Sequence, residues 1–298
     1  MGQGAVDGMR VGFVGLGAMG LPMARRLIGA GHAVAGYDLK AEALDALAES
    51  GGRRAQSVED AGRDAGALVL MVVNAAQAEA VLADDVLRAT APGALVLLMS
   101  TCAPAAVAAL AARVEAAGRR LIDAPVSGGV VGATGGTLSI MAAAPDEALA
   151  AARPLLDALG DKVFHVGPRP GQGAAVKVVN QLLCGVHIVA VAEALSLAER
   201  AGLDGQQLLT ILGGSAAGSW MLRDRGPRML EAEPGVTSAV DIFVKDLGLV
   251  LEAGGAAKAA LPLAAVARQM FLAASGQGRG GEDDSQVVQA YRALSGIG

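Results

Sequence analysis

The 298-residue sequence is poor in aromatic residues and has no excess of positive charge. It contains four Phe, two Tyr and one Trp, too few for the aromatic platforms on which single-stranded nucleic acids stack. Its formal net charge of −5 also speaks against a polyanionic partner. We therefore expect no nucleic-acid partner.

Cysteine and histidine are scarce as well. Cys102 and Cys184 lie far apart and show no metal-ligand spacing with the three histidines, so we expect no metal site. Two free thiols in a chain of this size are typical of a reducing cytosol, and the first ten residues lack the apolar core of a signal peptide. The most apolar run, residues 182–198, contains His187 and Glu193, which we expect to face the core, and it fits a buried core helix better than a membrane span. A cytoplasmic protein without a membrane partner is predicted.

The remaining composition is that of a globular protein. Hydrophobic residues make up 53% of the chain and charged residues 18%, which argues against disorder. A length of 298 residues suits roughly two domains. Because the chain contains 42 glycines, chance glycine motifs are common, and such a motif is informative only in the right structural context.

The hydrophobic pattern predicts alternating strands and helices in the first part of the chain. Helices are expected at residues 19–30 and 40–50 and before two later strands. Strands are expected at residues 11–14, 33–37, 67–73, 94–99, 121–122, 138–141 and 163–166. Strands that alternate with helices indicate right-handed crossovers and a parallel sheet.

The pattern changes after the Gly/Pro cluster at residues 167–171, the best candidate for a domain boundary. Every later segment is predicted to be helical, with helices at 174–200, 205–213, 240–255, 262–275 and 284–295. We therefore predict an α/β domain over residues 1–172 and an all-α C-terminal domain over residues 173–298, joined by a long interdomain helix. The helices of the second domain are apolar enough to bury surface against another subunit.

One glycine motif has the required context, because it follows the first predicted strand and opens the first predicted helix. In such a motif Gly15 allows the tight turn, Gly17 lets the backbone approach a pyrophosphate, and Gly20 lets the helix pack on the strand. Asp38 ends the second strand, where a carboxylate accepts the ribose hydroxyls of NAD and repels the extra phosphate of NADP. A Rossmann-type NAD-binding domain is predicted, against the alternative of a glycine-rich turn without a nucleotide. The predicted contacts are Gly15, Leu16, Gly17, Ala18, Met19, Gly20 and Asp38.

Two further loops follow predicted strands on the edge of the sheet where ligands of parallel α/β proteins bind. The first loop contains Val73 and Asn74, and the second contains Thr101. A hydroxyl and an amide at these places can contact the nicotinamide ribose. Ordinary turn chemistry and helix capping explain the same residues, so both interpretations stay open at this point.

Ser127, Gly128 and Gly129 combine one hydroxyl with backbone N–H groups that glycine lets a ligand approach closely. This arrangement is typical of a carboxylate-binding loop, and the alternative is a simple connection between a helix and a strand.

Lys177 lies in a segment nearly free of other charges. Apolar surroundings favour a neutral amine and lower a lysine pKa, which suits proton exchange near neutral pH. The alternative is a lysine whose stem lies on the surface and whose amine reaches water.

Helical spacing places Lys177, Asn180 and Gln181 on one face of the long helix. A cation beside two amides can hold a hydroxyl oxygen and orient the reacting carbon.

Lys245 and Asp246 form a charged island in an otherwise apolar helix. Spacing alone favours a surface ion pair there over a pair that reaches a cleft between the domains.

Taken together, these motifs resemble the β-hydroxyacid dehydrogenase family, which includes the 3-hydroxyisobutyrate dehydrogenases. The resemblance covers residues 10–291 and rests on the motifs at 15–20 and 123–129, on the segment at 173–180, and on 245–247. It implies Lys177 as the catalytic residue and Ser127 to Gly129 as the carboxylate loop. It also implies that Thr101 and Lys245 contact the cofactor, which replaces the surface-pair interpretation of Lys245.

Several less general stretches resemble the L-threonate dehydrogenases, a subgroup that oxidises a four-carbon sugar acid. These stretches are residues 72–77, 181–188, 218–221, 239–250 and 282–285. The resemblance implies that Trp220 and Phe243 line the substrate pocket and that Asn180 and Gln181 bind substrate. Many family members have a second Asn at the position of Gln181. A Gln at this position is also found in tartronate semialdehyde reductases.

The predicted activity is NAD-dependent oxidation of a small hydroxy acid by a homodimer or homotetramer. L-Threonate is the first candidate substrate, and the alternatives are the substrates of 3-hydroxyisobutyrate dehydrogenase and tartronate semialdehyde reductase. A catalytically silent NAD-binding protein is disfavoured by the presence of Lys177 with Ser127. Reduction of imines stays open, and so does a phosphorylated sugar acid, for which Arg223, Arg225 and Arg228 are the candidate phosphate ligands.

Overall fold

A computed structural model describes residues 8–297 of the chain. These residues form two compact units, one that ends at Lys177 and one that begins at Val178. Residues 1–7, which belong to the N-terminal stretch without a signal-peptide core, lie outside the described part. The first unit is α/β and the second is helical, as the sequence predicts.

The first unit is built on one mostly parallel sheet. Within residues 8–297 its strands are β1 (Arg10–Val14), β2 (Ala33–Tyr37), β3 (Arg53–Arg54), β4 (Ala67–Leu70), β5 (Leu95–Leu98), β6 (Arg120–Asp123), β7 (Val126–Ser127), β8 (Ser139–Ala143) and β9 (Lys162–Gly167). Their order is β3-β2-β1-β4-β5-β6-β8-β7, with β9 paired to β8. Strands β1 to β6 are parallel to one another. The order changes direction between β1 and β4, which is where doubly wound folds bind nucleotides.

The prediction of a parallel sheet is wrong at one place. Strand β8 runs antiparallel to both β6 and β7. The chain between β7 and β8 contains a seven-residue helix, Gly129–Gly135, and a crossover to a parallel neighbour needs a longer connection. The chain therefore doubles back after Ser127, and the predicted carboxylate loop lies at this reversal.

Helices cover both faces of the sheet. They are α1 (Gly20–Gly29), α2 (Ala41–Ala48), α3 (Val58–Gly62), α4 (Ala75–Val81), α5 (Asp84–Ala89), α6 (Pro104–Ala116), α7 (Gly129–Gly135) and α8 (Asp146–Leu159). Alternate residues of the strands enter different cores, because successive side chains point to opposite faces. Val69 and Leu97 pack in one core, and their neighbours Leu68 and Val96 pack in the other.

Helix α9 (Gln172–Arg200) contains 29 residues and continues from the first unit into the second. By length and composition it could cross a membrane, but 44% of its most apolar window is buried within the chain. Ile188, Ala192 and Leu195 lie in the hydrophobic core of the second unit, as expected for a core helix. Glu193 is exposed in the chain, so the expectation that it faces the core is wrong.

The second unit contains five further α-helices within the described residues. They are α10 (Gly205–Gly213), α11 (Trp220–Met229), α12 (Val240–Ala256), α13 (Pro262–Ala274) and α14 (Val288–Leu294). The segment predicted as a helix over 284–295 begins as a 3-10 turn at Asp284–Val287. Its α-helical part is therefore shorter than predicted.

Helix α11 is absent from the predicted set, because its charged sequence with Gly226 and Pro227 lacks an apolar stripe. A side-chain cap starts it, since Ser219 Oγ accepts a hydrogen bond from the Leu222 N–H at 3.0 Å. Ion pairs with a distant segment then hold it. Arg225 donates to both carboxylate oxygens of Asp284, at 2.6 and 3.0 Å.

Candidate functional site

The glycine motif lies between β1 and α1, and its three glycines differ in their surroundings. Gly15 has a φ of +92° and a Cβ there would lie 2.4 Å from the Met71 carbonyl oxygen, while a Cβ on Gly20 would lie 1.8 Å from the Gly15 oxygen. The fold itself requires these two glycines. A Cβ on Gly17 would meet no described atom within 4 Å. The space beside Gly17 is thus open, and the residues present fit a dinucleotide. Contact between Gly17 and the cofactor remains a prediction.

Asp38 follows β2 and faces the glycine motif. Its Oδ2 accepts a hydrogen bond from the Leu16 N–H at 2.6 Å, and its Oδ1 accepts one from the Lys40 N–H at 2.9 Å. The Leu16 side chain is buried in the core, so Leu16 can offer a ligand its backbone and not its side chain. The carboxylate of Asp38 is therefore oriented at the place where an NAD-binding acid is expected.

The loops after β4 and β5 lie at the same edge of the sheet, because β4 runs parallel to both of its neighbours, β1 and β5. Asn74 Oδ1 accepts a hydrogen bond from the Gln77 N–H at 2.9 Å, so its side chain caps α4. The Val73 N–H donates to Gln77 Oε1 at 2.9 Å. The Val73 side chain is 47% exposed, and cofactor contact by Val73 and Asn74 remains a prediction.

Ser100 joins the ends of these two strands, since its Oγ accepts a hydrogen bond from the Val72 N–H at 2.9 Å. Thr101, the predicted cofactor residue, is half-buried directly after it. The sequence does not distinguish the roles of these adjacent hydroxyls. The structure gives Ser100 the contact between the two strands, and cofactor contact by Thr101 remains a prediction.

The predicted carboxylate loop lies between the short strand β7 and helix α7. Ser127 ends β7 and pairs with Ser139 of β8. Gly128 and Gly129 have φ values of +131° and +60°, and residues with side chains rarely adopt this left-handed region. All three residues are partly accessible. A hydroxyl and two glycine backbones are thus presented together, as a carboxylate site needs.

Asp123 at the end of β6 is a buried residue of this region to which the sequence assigned no role. The exposure of Asp123 is 1%, and its Oδ2 accepts hydrogen bonds from the N–H groups of Gly171 at 2.7 Å and Ala174 at 2.9 Å. Burial raises the pKa of the Asp123 carboxyl to about 6, against the lowering effect of these backbone donors. A charged residue that ends the apolar run Leu121-Ile122 was the signal available in the sequence.

Lys177, Asn180 and Gln181 lie on α9 with the spacing of one helix face, as predicted. Lys177 is 7% exposed and Gln181 is 7% exposed, while Asn180 is half-buried. Asn180 Oδ1 accepts a hydrogen bond from the Cys184 thiol at 3.7 Å. A buried lysine followed by two amides is the arrangement that the proton-transfer interpretation requires.

Gln181 is held by the charged island on α12. Its Nε2 donates to Asp246 Oδ2 at 2.5 Å, and Lys245 Nζ lies 2.7 Å from Asp246 Oδ1. The pair that spacing predicts between Lys245 and Asp246 is thus present, but it is not a surface pair, because Asp246 is 2% exposed. One buried carboxylate joins the predicted substrate amide to the predicted cofactor lysine.

The two aromatic candidates have different environments. Trp220 begins α11 and is 45% exposed, so it is available to a ligand. Phe243 is 3% exposed, and its ring stacks on Phe271 with the centroids 5.1 Å apart. The packing of Phe243 in the helical core needs no ligand to explain it, and its contact with substrate remains a prediction.

No group of three or more His, Cys, Asp or Glu side chains that could hold a metal ion occurs within residues 8–297. The charged groups described above are carboxylates and lysines. Their roles in dinucleotide binding, substrate binding and proton exchange remain predictions.

Comparison with protein families gives two matches that together span the chain. Residues 10–167 match the model described as the NAD binding domain of 6-phosphogluconate dehydrogenase. Residues 171–291 match the model described as NAD-binding of NADP-dependent 3-hydroxyisobutyrate dehydrogenase. The change from one match to the next falls at the Gly/Pro cluster that the sequence indicated as a boundary.

Individual relatives are similar over nearly their full length. An L-threonate dehydrogenase of Cupriavidus necator is 43% identical, over 94% of this chain and 95% of that protein. An NAD-dependent L-serine dehydrogenase of Pseudomonas aeruginosa is 35% identical, over 96% and 99%. The crystal structure of a 3-hydroxyisobutyrate dehydrogenase from Salmonella typhimurium superposes with a TM-score of 0.90 at 41% identity, over 94% of this chain and 98% of that one.

Proposed function

The chain belongs to the 3-hydroxyisobutyrate dehydrogenase-like family of NAD-dependent β-hydroxyacid dehydrogenases, and from this premise we propose that it oxidises L-threonate at C2 to 2-oxo-tetronate. The observation that carries the choice of substrate is the 43% identity to an L-threonate dehydrogenase over nearly the whole of both chains. The geometry at Gln181 is consistent with this choice, because an oriented amide suits a substrate with several hydroxyls.

In the proposed reaction, bound NAD supplies the acceptor for the hydride of the alcohol carbon. Gly15, Gly17 and Asp38 would hold the dinucleotide through its phosphates and ribose. The protein's own task is to fix the substrate and to remove the hydroxyl proton. Ser127, with the backbones of Gly128 and Gly129, holds the carboxylate.

Lys177 accepts the hydroxyl proton as the neutral amine and returns it to the carbonyl oxygen in the reverse reaction. Such general base action contributes roughly 10²- to 10⁴-fold in rate. Asn180 and Gln181 orient the substrate hydroxyls beside the amine. Trp220 and Phe243 are assigned to the substrate pocket, and Val73, Asn74, Thr101 and Lys245 to the cofactor.

The competing substrates differ in what the site has to bind. The substrates of 3-hydroxyisobutyrate dehydrogenase and tartronate semialdehyde reductase need the same carboxylate loop and the same lysine, so they remain the alternatives. A phosphorylated sugar acid needs free guanidinium groups. Arg225 pairs with Asp284 and Arg228 pairs with Asp283, each at 2.6 Å, which argues against a phosphate site there.

The test is NADH formation with a substrate panel at alkaline pH. The panel contains L-threonate, 3-hydroxyisobutyrate, glycerate, L-serine and 6-phosphogluconate, each with NAD and with NADP. We expect the highest kcat/KM with L-threonate and NAD. A higher value with another hydroxy acid would move the proposal to that substrate, and no NADH with any acid would refute hydroxy-acid oxidation itself.

We also propose that the protein is a cytoplasmic homodimer or homotetramer. Large apolar side chains are exposed on the helices of the second unit, among them Leu183 (49%), Leu197 (71%) and Leu263 (66%). Apolar surface of this kind is commonly covered by another subunit. Light scattering on the purified protein measures the assembly, and a monomeric mass at micromolar concentration would contradict it.

A further inference from the structure

Asp123 is buried in the first unit, and neither substrate nor cofactor binding has been assigned to it. Its carboxylate accepts two backbone N–H groups at the start of α9, those of Gly171 and Ala174. Asp123 itself ends β6, the strand that is followed by β7 and the Ser127 loop. One side chain therefore joins the end of a strand to the first turn of the helix that carries Lys177.

The contact between these two elements is close. A Cβ on Gly173 would lie 2.4 Å from the Met141 carbonyl oxygen, 2.8 Å from the Asp123 carbonyl oxygen and 3.0 Å from Asp123 Cγ. No side chain fits in such a space, so the first turn of α9 lies directly on the end of β6 and on the middle of β8. A small displacement of this turn would move everything that follows it on the helix.

Lys177 lies on the same face of α9 as Gly173, because the two residues are four positions apart, which places their Cβ positions about 5–6 Å from each other. The Asp123 carboxyl is therefore within about one helical turn of the base of the lysine side chain. On the other side, the backbone runs from Asp123 to Ser127 through Ala124, whose N–H donates to the Leu98 carbonyl at 2.9 Å. The connection from Asp123 to Lys177 and the connection from Asp123 to Ser127 are thus both short, and each includes a hydrogen bond.

We propose that Asp123 is a positioning residue: its buried carboxylate fixes the first turn of α9 on the end of β6 and thereby sets the place of Lys177 relative to the Ser127 loop. The role rests on the proposed function, since it concerns the proposed base and the proposed carboxylate site. It assigns Asp123 no contact with substrate or cofactor.

A purely structural cap would stabilise the fold without a specific effect on turnover, so the test separates the two. Asp123→Ala removes the acceptor, and Asp123→Asn keeps one oxygen acceptor. The matched control is Asp204→Ala, because Asp204 caps α10 by accepting the Gln207 N–H at 2.6 Å and lies outside the proposed machinery. kcat, KM, NAD affinity and Tm are measured for each variant.

We expect Asp123→Ala to lower kcat by about 10- to 100-fold, because a displacement of a reacting group by about 1 Å lowers the rate by up to this factor. NAD affinity should persist, since the glycine motif is on another strand. Asp123→Asn should lie between Asp123→Ala and wild type, and Asp204→Ala should keep wild-type kcat. A folded Asp123→Ala with wild-type kcat would overturn the proposal, and so would an equal loss in the control.

A second readout does not depend on turnover. The rate at which an amine-specific reagent modifies Lys177 is followed by peptide mass spectrometry. The lysine is 7% exposed, so its modification should be faster in Asp123→Ala and unchanged in Asp204→Ala. If the substrate panel shows no oxidation, the proposed function fails, but this measurement still tests whether Asp123 fixes the first turn of α9 on the end of β6. An unchanged rate in Asp123→Ala would reject the positioning role.

Discussion

Gln181 Nε2 donates a hydrogen bond to Asp246 Oδ2 across 2.5 Å, between two helices of the second unit that are far apart in the sequence. Asp246 also pairs with Lys245 at 2.7 Å. A carboxylate accepts hydrogen bonds and donates none, so the contact fixes which end of the Gln181 amide faces Asp246. Asp246 on α12 therefore contributes to the orientation of a proposed substrate residue.

Replacing Asp246 should impair substrate use. Asp246→Ala removes this acceptor, and the loss of a hydrogen bond to a charged group costs about 1.5–3 kcal/mol. We expect kcat/KM for the hydroxy acid to fall by roughly 10- to 100-fold, as measured by steady-state kinetics. Asp241→Ala on the same helix is the control, because Asp241 is exposed and bonds Ser275. Equal kinetics for the two variants would contradict the assignment.

Removing the amine of Lys177 should lower turnover and spare cofactor binding. For Lys177→Ala we expect kcat to fall by about 10²- to 10⁴-fold, the usual contribution of a general base. Fluorescence titration should give an unchanged affinity for NADH, and Lys162→Ala, an exposed lysine of β9, should behave as wild type. A fully active Lys177→Ala would show that another group takes the proton.

Asp38 should determine the choice between NAD and NADP. Its carboxylate is already oriented by the N–H groups of Leu16 and Lys40, and a second negative charge beside it costs several kcal/mol. Asp38→Ser removes that repulsion, so the ratio of kcat/KM for NADP to that for NAD should rise by at least about tenfold. Glu42→Gln, an exposed acid in the first turn of α2, is the control. A ratio that stays at the wild-type value would assign cofactor choice elsewhere.

Local sequence patterns were sufficient for the elements that local forces decide. The strand at Ala33–Tyr37 and the helix at Gly205–Gly213 have their predicted bounds. The helix predicted over residues 19–30 is observed as Gly20–Gly29, and Gly31 just beyond it has a φ of +91°. Apolar runs bounded by glycine contain the required information within a few residues.

The sequence-based predictions fail where contacts between residues that are far apart in the chain determine the structure. Helix α11 has no apolar stripe and depends on Asp283 and Asp284, more than fifty residues later, as partners of Arg228 and Arg225. The role of Asp123 likewise depends on backbone donors of residues 171 and 174. Spacing could reveal the pair of Lys245 and Asp246, but its burial follows from packing that the sequence does not display.

Asp123 should also give the stability of the protein a measurable pH dependence. Burial raises the pKa of this carboxyl from 3.8 to about 6 in the folded chain, so the folded state binds the proton more tightly than the unfolded state. Its stabilising contribution is complete below about pH 4 and is lost as the pH rises through about 6, which amounts to about 3 kcal/mol. Asp123→Asn cannot ionise, and its free energy of unfolding should rise relative to wild type by up to this amount between about pH 4 and pH 8. Urea unfolding at a series of pH values measures the difference, with Asp204→Asn, at an exposed cap, as control. Parallel curves for wild type and Asp123→Asn would mean that the carboxyl is not desolvated in the folded state.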